Sequence, residues 1–232
     1  MKSKLSLNNL PKPVKTGLVT ILSFTIVGIV YILLQRLGYI FPLTLWSEVI
    51  DKSDQKDAVY HQPLAGNNSI NKNRSLTTIL GDRIDKQQTS ILIEKSKYRL
   101  TIYQNRQPIK SYPIVLGDHP TGDKFIEGDR RTPEGIFHIK DMYPHPQWSK
   151  FLWLDYPTAY SWKKHLAAKQ TGKIPWYATI GRDVGIHGVP TNGDAMIDQQ
   201  VNWTWGCISL KTADVQEIYQ ASQPGTLVEI LH

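Results

Sequence analysis

Cysteine is almost absent. One, Cys207, occurs in 232 residues, which excludes any intramolecular disulfide and any cysteine-built metal cluster. The seven histidines show no His-x-x-x-His pair and no mixed Cys/His ligand spacing, so no metal site and no cofactor is expected. Acidic residues are missing from residues 1–36, where Lys2, Lys4, Lys12, Lys15 and Arg36 give +5. From residue 89 onward sixteen Lys/Arg face fourteen Asp/Glu, an excess of only +2. The basic surface that nucleic-acid binding requires on a folded domain is therefore lacking, and no nucleic-acid partner is expected. No internal repeat and no long low-complexity tract occurs.

Charge is also absent from Gly17 to Leu34, eighteen positions. As a helix this run is roughly 27 Å long at 1.5 Å per residue, close to the thickness of a bilayer's hydrocarbon core. Four lysines precede it and one arginine follows, which predicts an N-terminus in the cytoplasm. Gln35-Arg36-Leu37-Gly38-Tyr39 offers no small-x-small cleavage site, so an uncleaved anchor is expected over a signal peptide. The organisation expected is a cytoplasmic basic tail at 1–16, a transmembrane anchor at 17–36, a polar tether at 37–88 and a folded domain at 89–232.

From Thr89 the pattern alternates with period two. Ile91–Glu94, Tyr98–Tyr103 and Ile109–Leu116 read as strands, the last two joined by a turn at Gln104–Gln107. Ile136–Ile139, Trp176–Ile180, Val184–His187 and Leu227–Leu231 read as further short strands. Helices are expected near Leu76–Ile84, over Pro157–Lys169 with Thr158 as N-cap, and over Lys211–Ala221 with Thr212 as cap. Many short strands with one or two helices predict a mainly β domain.

The chemistry concentrates between Gly185 and Leu210. Gly185-Ile186-His187-Gly188 ends a short apolar run, and Thr204-Trp205-Gly206-Cys207-Ile208-Ser209 follows. A solitary Cys with a His elsewhere is a candidate nucleophile and base. A buried packing thiol is the structural alternative. Gly206 gives the backbone before the thiol unusual freedom, and N–H groups near Gly206 and Cys207 are candidate oxyanion donors.

These residues resemble the L,D-transpeptidase (YkuD-type) catalytic-domain family. The His-Gly pair followed by Thr-x-Gly-Cys-Ile-Ser resembles its signature. Gly122-Asp123-Lys124, Glu127-Gly128-Asp129 and Arg131-Thr132-Pro133-Glu134-Gly135 resemble its second block. The likeness covers about residues 89–231 and implies a mixed β-sheet folded as a sandwich or barrel, with one or two helices. It implies that Cys207 attacks a peptidoglycan stem peptide at its third residue, expels D-alanine and holds a thioester, which an amine on another stem or on a wall-attached lipoprotein resolves. His187 would be the base, with the Gly188 carbonyl orienting its ring, and no metal would be needed.

Two positions depart from the pattern. Trp205 stands where most members have His, and Ser209 where many have Arg or Asn. Resolution of the thioester by water, as an L,D-carboxypeptidase or wall–lipoprotein amidase, therefore stands as the alternative, and a non-catalytic wall-binding module as a third reading. A sortase-type enzyme needs a downstream arginine, and none follows Cys207. Thr204, Trp205, Ser209, Arg131 and Tyr156 are candidate substrate-binding residues. Tyr156 belongs to an aromatic-rich insert with Trp148, Trp153, Tyr160 and Trp162, a composition that suits a cover over the cleft and core packing equally. The localisation expected is the bacterial inner membrane, single-pass, with the domain in the periplasm.

Overall fold

The alternating run from Thr89 forms a sheet of eight strands in the computed structural model, which describes residues 11–50, 60–81 and 84–232. Residues 1–10 of the expected basic tail, and 51–59 and 82–83 of the expected tether, lie outside the described residues. The strands are β1 (Thr89–Glu94), β2 (Arg99–Gln104), β3 (Gln107–Pro113), β4 (Gly135–His145), β5 (Ser149–Leu154), β6 (Gly185–Gly188), β7 (Ile208–Leu210) and β8 (Leu227–Leu231). Their spatial order is β3-β2-β1-β8-β4-β5-β6-β7. The pairs β1–β8 and β6–β7 are parallel and the rest antiparallel. The two ends of the order nearly meet. Just past β3, Val115 exchanges two 2.9 Å backbone hydrogen bonds with Ser209 of β7. The sheet is thus a near-closed barrel, mainly β with few helices.

β4 explains how one sheet serves two halves. Its first residues pair with β8 and its later ones with β5, with a register shift between Ile139 and Asp141. Inside lie Ile91, Ile93, Leu100, Ile102, Phe137, Leu152, Ile186, Ile208, Val228 and Ile230, all nearly inaccessible. The α-helices among the described residues are α1 (Lys12–Arg36), α2 (Trp46–Ile50), α3 (Leu76–Leu80), α4 (Ala159–Gln170), α5 (Ala195–Asp198) and α6 (Thr212–Ala221); α4 and α6 pack on the core. α4 starts at Thr158, whose hydroxyl accepts from Ser161 N. α6 buries Val215, Ile218 and Ala221 against β5 and β6.

Several expectations need correction. Thr212 does not cap α6. It is the first helical residue, the cap position is Lys211, and Thr212 N donates to Asp194 Oδ1 at 2.9 Å. Trp176–Ile180 is no strand, because its backbone is spent on a turn from Ala178 to Pro175 and on Ile180 N donating to Gly38 O. β5 and β7 lay in stretches read as insert and motif. The helix expected near 76–84 is shorter, Leu76–Leu80, capped by Ser75.

The described parts of 37–88 pack on the domain at several points while much of their surface stays exposed. After the apolar helix α1 (Lys12–Arg36), Phe41, Leu45 and Val49 lie against the core, and Phe41 meets Trp162 of α4 edge-on at 6.1 Å. Residues 60–71 lie as a strap over the outer face of β8, β1 and β2. Glu229 accepts from Tyr60 N (2.9 Å), His61 N (2.8 Å) and His61 Nδ1 (2.8 Å). The guanidinium of Arg99, paired with Glu94 at 2.6 Å, also donates to Leu64 O. Ser111 N donates to Ile70 O at 3.0 Å. The strap carries few apolar residues because buried charges on the sheet, rather than a hydrophobic face, bind its backbone.

Candidate active site

β6 and β7 place the two candidate catalytic residues. Their parallel register pairs Ile186 with Ile208 and His187 with Ser209. Side chains alternate along a strand. Ile186, Ile208 and Leu210 therefore enter the core, while His187, Ser209 and Cys207 share the opposite face. Glycines make the close packing feasible. A Cβ at Gly185 would lie 2.5 Å from the Phe151 ring, and one at Gly188 would lie 2.6 Å from Trp148 O.

The imidazole is held from two directions. His187 Nδ1 lies 2.8 Å from Gly188 O, so this nitrogen carries the proton and Nε2 is left as an acceptor. The ring is sandwiched among aromatics. Trp148 stacks at 4.4 Å, Phe151 lies parallel at 5.8 Å and Trp203 stands edge-on at 5.5 Å. His145 in turn stacks on Trp148 at 4.3 Å. Burial is the main cause that lowers the His187 pKa to about 4. The bond to Gly188 O opposes the shift and nearby His145 adds to it.

Cys207 is partly buried. Its Sγ lies 3.6 Å from Asp183 O, the carbonyl to which the thiol donates in the resting structure in place of the imidazole. Burial raises its pKa to about 11, the Gly185 backbone and Lys124 pull it down, and Asp183 pushes it up. At neutral pH the resting pair is thus a neutral thiol beside a neutral imidazole.

The turn before the thiol is built by Thr204. Its hydroxyl donates to Cys207 O at 2.7 Å and accepts Gly206 N–H at 3.2 Å. The Gly206 N–H expected as an oxyanion donor is therefore already used inside the turn, and Thr204, buried by that turn, does not face a substrate. Gly206 supplies room instead. Its φ is +129°, and a Cβ there would lie 2.7 Å from Arg131 O and 3.8 Å from Lys124 Nζ.

The block from Gly122 to Gly135 is the buttress behind that turn. Asp129 Oδ2 accepts from Phe125 N and Ile126 N, and its Oδ1 from Arg131 N and, at 2.7 Å, Lys124 Nζ. Asp123 Oδ1 accepts from Lys124 N and Glu134 N. Lys95 Nζ donates to Thr132 O and Glu134 Oε1, both at 2.9 Å. Arg131 is half-buried and contributes its carbonyl to the contact with Gly206.

The other candidates divide. Trp205 is 75% exposed, with the Arg130 guanidinium 5.4 Å from its ring centre, and is free to meet a ligand. Ser209 is wholly buried beside His187, and its Oγ has no partner among the described residues. Tyr156 is a core residue, 5% exposed, with its hydroxyl donating to Ile180 O at 3.0 Å; it does not line a cleft. Trp162 is likewise core, and Trp153 lies on the outside beneath Lys140. Of the aromatic-rich insert, Trp148 alone reaches the imidazole. Sequence reasoning missed Lys124, His145 and Asp183 as neighbours of the pair. Lys124 sits in a quoted motif, whereas nothing local marks the other two.

Among solved structures, the helical cell shape determining protein Pgp2 from Campylobacter jejuni is similar at 24% identity and a TM-score of 0.45, over 61% of this chain and 46% of that one. Bd1075 from Bdellovibrio bacteriovorus is similar at 17% identity and a TM-score of 0.44, over 62% of this chain and 48% of that one. L,D-transpeptidase 3 from Mycobacterium tuberculosis, solved with a faropenem-derived adduct, gives 12% identity and a TM-score of 0.43, over 62% and 60%. The chain thus spans about half the length of the first two. No curated protein matches. A family model of the L,D-transpeptidase catalytic domain (YkuD) matches residues 88–230, from just before β1 into β8 and through both glycine-rich blocks, and the chain belongs to that family.

Proposed function

We propose that the chain is a membrane-anchored L,D-transpeptidase that acts on peptidoglycan stem peptides through a thioester on Cys207. The observation that carries this reading is the shared face of β6 and β7, where Gly188 O fixes Nδ1 of His187 and leaves Nε2 as a base on the side of the thiol. Because both groups are neutral at rest, attack and proton transfer are coupled. Nε2 takes the thiol proton as Sγ bonds to the carbonyl carbon of the third stem residue. The carbon–nitrogen bond to D-alanine then breaks, and the imidazolium returns its proton to the leaving amine. An acceptor amine attacks the thioester, giving its proton to Nε2, and the sulfur leaves. We assign the Cys207 N–H to the forming oxyanion, and the Lys124 charge favours the thiolate character that develops.

Water in place of the amine gives the hydrolase reading. What favours it is local: Trp205 is exposed beside the nucleophile, and Ser209 leaves a buried hydroxyl unpaired next to the base. A wall-attached lipoprotein is a further candidate acceptor. The apolar stretch in α1, with mean hydropathy 2.5 and none of its most apolar window buried against the protein, is long enough to cross a bilayer. We read it as an anchor that leaves residues 1–16 in the cytoplasm and the domain from 89 onward outside.

Mass spectrometry of muropeptides incubated with the protein tests the proposal. Dimers joined through third residues are expected from the native chain, and none from Cys207→Ala. Tripeptides without dimers establish hydrolysis, and unchanged products from Cys207→Ala overturn the thioester.

A further inference from the structure

Two of the largest side chains on the domain have no packing role. Trp176 is 82% exposed and Tyr177 61%, and their rings stand edge-on 5.8 Å apart. Leaving an indole and a phenol in water forgoes the stabilisation that burial gives such large apolar side chains. Adjacent exposed aromatics of this kind mark a surface that meets something partly apolar.

Their position indicates what. The same loop is bonded to the end of α1. Ile180 N donates to Gly38 O at 3.2 Å, and Arg182 Nη1 donates to Arg36 O at 3.1 Å. The chain after α1 then folds back along the helix. Tyr31 Oη accepts from Leu43 N at 2.8 Å and donates to Phe41 O at 3.2 Å. Tyr31 precedes Arg36 by five residues, so this contact lies about 7.5 Å back down the helix axis, toward the bilayer centre. Leu43 and Trp46 on this returning segment are 65% and 55% exposed. Between them and the loop, Arg36 and Arg182 border a cleft of about 250 Å³. If α1 spans a bilayer, aromatic and apolar side chains and two guanidiniums thus fall at the level where tryptophan, tyrosine and arginine favour the lipid interface.

Resting on the reading of α1 as a bilayer-spanning anchor, we infer that Trp176 and Tyr177, with Leu43 and Trp46, form an interfacial foot that seats the catalytic domain directly on the outer leaflet. The partner is a lipid surface. One consequence concerns the site. Arg182, bonded to the end of α1, is followed by Asp183, the residue whose carbonyl accepts from the thiol. The foot therefore holds the nucleophile's side of the domain close to the membrane.

The single cysteine makes the test direct. In a Cys207→Ala background, the full chain is reconstituted in phosphatidylethanolamine–phosphatidylglycerol vesicles with one new cysteine at a time, Ile26→Cys, Trp176→Cys, Tyr177→Cys or Lys72→Cys, each carrying a nitroxide. Collisions with oxygen and with a water-soluble nickel chelate report depth. The expected result is a label at 26 reached chiefly by oxygen, labels at 176 and 177 shielded from nickel at headgroup depth, and a label at 72 fully open to nickel. A label at 26 in lipid with labels at 176 and 177 as open to nickel as that at 72 overturns the foot alone. A label at 26 open to nickel overturns the anchor beneath it. Labels at 176 and 177 shielded from both reagents reveal a protein contact, such as a second copy, and also overturn the lipid foot.

Discussion

At Cys207 the decisive quantity is the state of the proton. Burial holds the thiol near about 11 and the imidazole near about 4, so the site is not a preformed thiolate–imidazolium pair. Iodoacetamide labelling of Cys207 is therefore expected to titrate with a midpoint near about 11 and to run about two orders of magnitude slower at neutral pH than a free thiol of pKa near 8.5. A midpoint below 8 contradicts the neutral pair. Gly206 is the second residue on which the site depends. Gly206→Ala forces a Cβ to 2.7 Å from Arg131 O at a φ of +129°, a strain of about 1–3 kcal/mol. Because the thiol follows directly, activity on muropeptides is expected to fall on the order of a hundredfold, while intact-protein mass shows Cys207 still alkylated at high pH. Native activity in Gly206→Ala contradicts the close approach.

Among elements, the strap at 60–71 departs furthest from the sequence reading. Few apolar residues and many polar ones suggested a solvated tether. The structure places those residues over a sheet face whose own charges are buried: Glu94, Arg99 and Glu229 are each under 5% exposed. Removing Arg99 leaves Glu94 with Lys97 as its remaining cation and releases the strap carbonyls of Gly66 and Asn68 that the guanidinium held. Arg99→Met is expected to destabilise the domain by about 3 kcal/mol, read by denaturant unfolding of the full chain in detergent. Lys72→Met, exposed just past the strap, is expected to stay within about 0.5 kcal/mol. Equal small effects from both show that the strap is not held by the buried pair. α4 and β4 were legible from Thr158 and from the Ile136–Ile139 alternation. β5 was not, because its aromatic residues suit a packed insert as well as a strand.

For the molecule as a whole, stability couples to pH through its buried histidines. His61, His165 and His187 all have lowered pKa values, with burial the first cause in each. In the unfolded chain they bind protons below about 6.5, so the stability they contribute is complete above that pH and is lost as the pH falls. For His187 the loss runs from about 6.5 down through about 4, on the order of 3 kcal/mol. Asp214, raised by burial to about 6, works in the opposite sense over the same window and offsets part of it. Unfolding free energy is expected to fall between pH 6.5 and 4, and His187→Gln to flatten that fall. An unchanged slope in His187→Gln removes His187 from the account.

The sequence by itself determined the pieces that depend on neighbours along the chain. Period-two alternation marked β1, β2, β3 and β8, a threonine marked the start of α4, and an uncharged run marked α1. Cys207, His187 and the glycines beside them identified the candidate chemistry and the family. What required the tertiary structure were pairings between residues far apart in sequence. The β6–β7 register brings positions 187 and 207 to one face. The turn at Thr204 uses the Gly206 N–H that local reasoning had offered to an oxyanion. Core packing takes Tyr156 out of the cleft, and three-dimensional burial sets both protons of the candidate pair. The physical reason is the same each time: hydrogen-bond partners and desolvation are properties of what surrounds a side chain, and only the fold decides which distant residues those are.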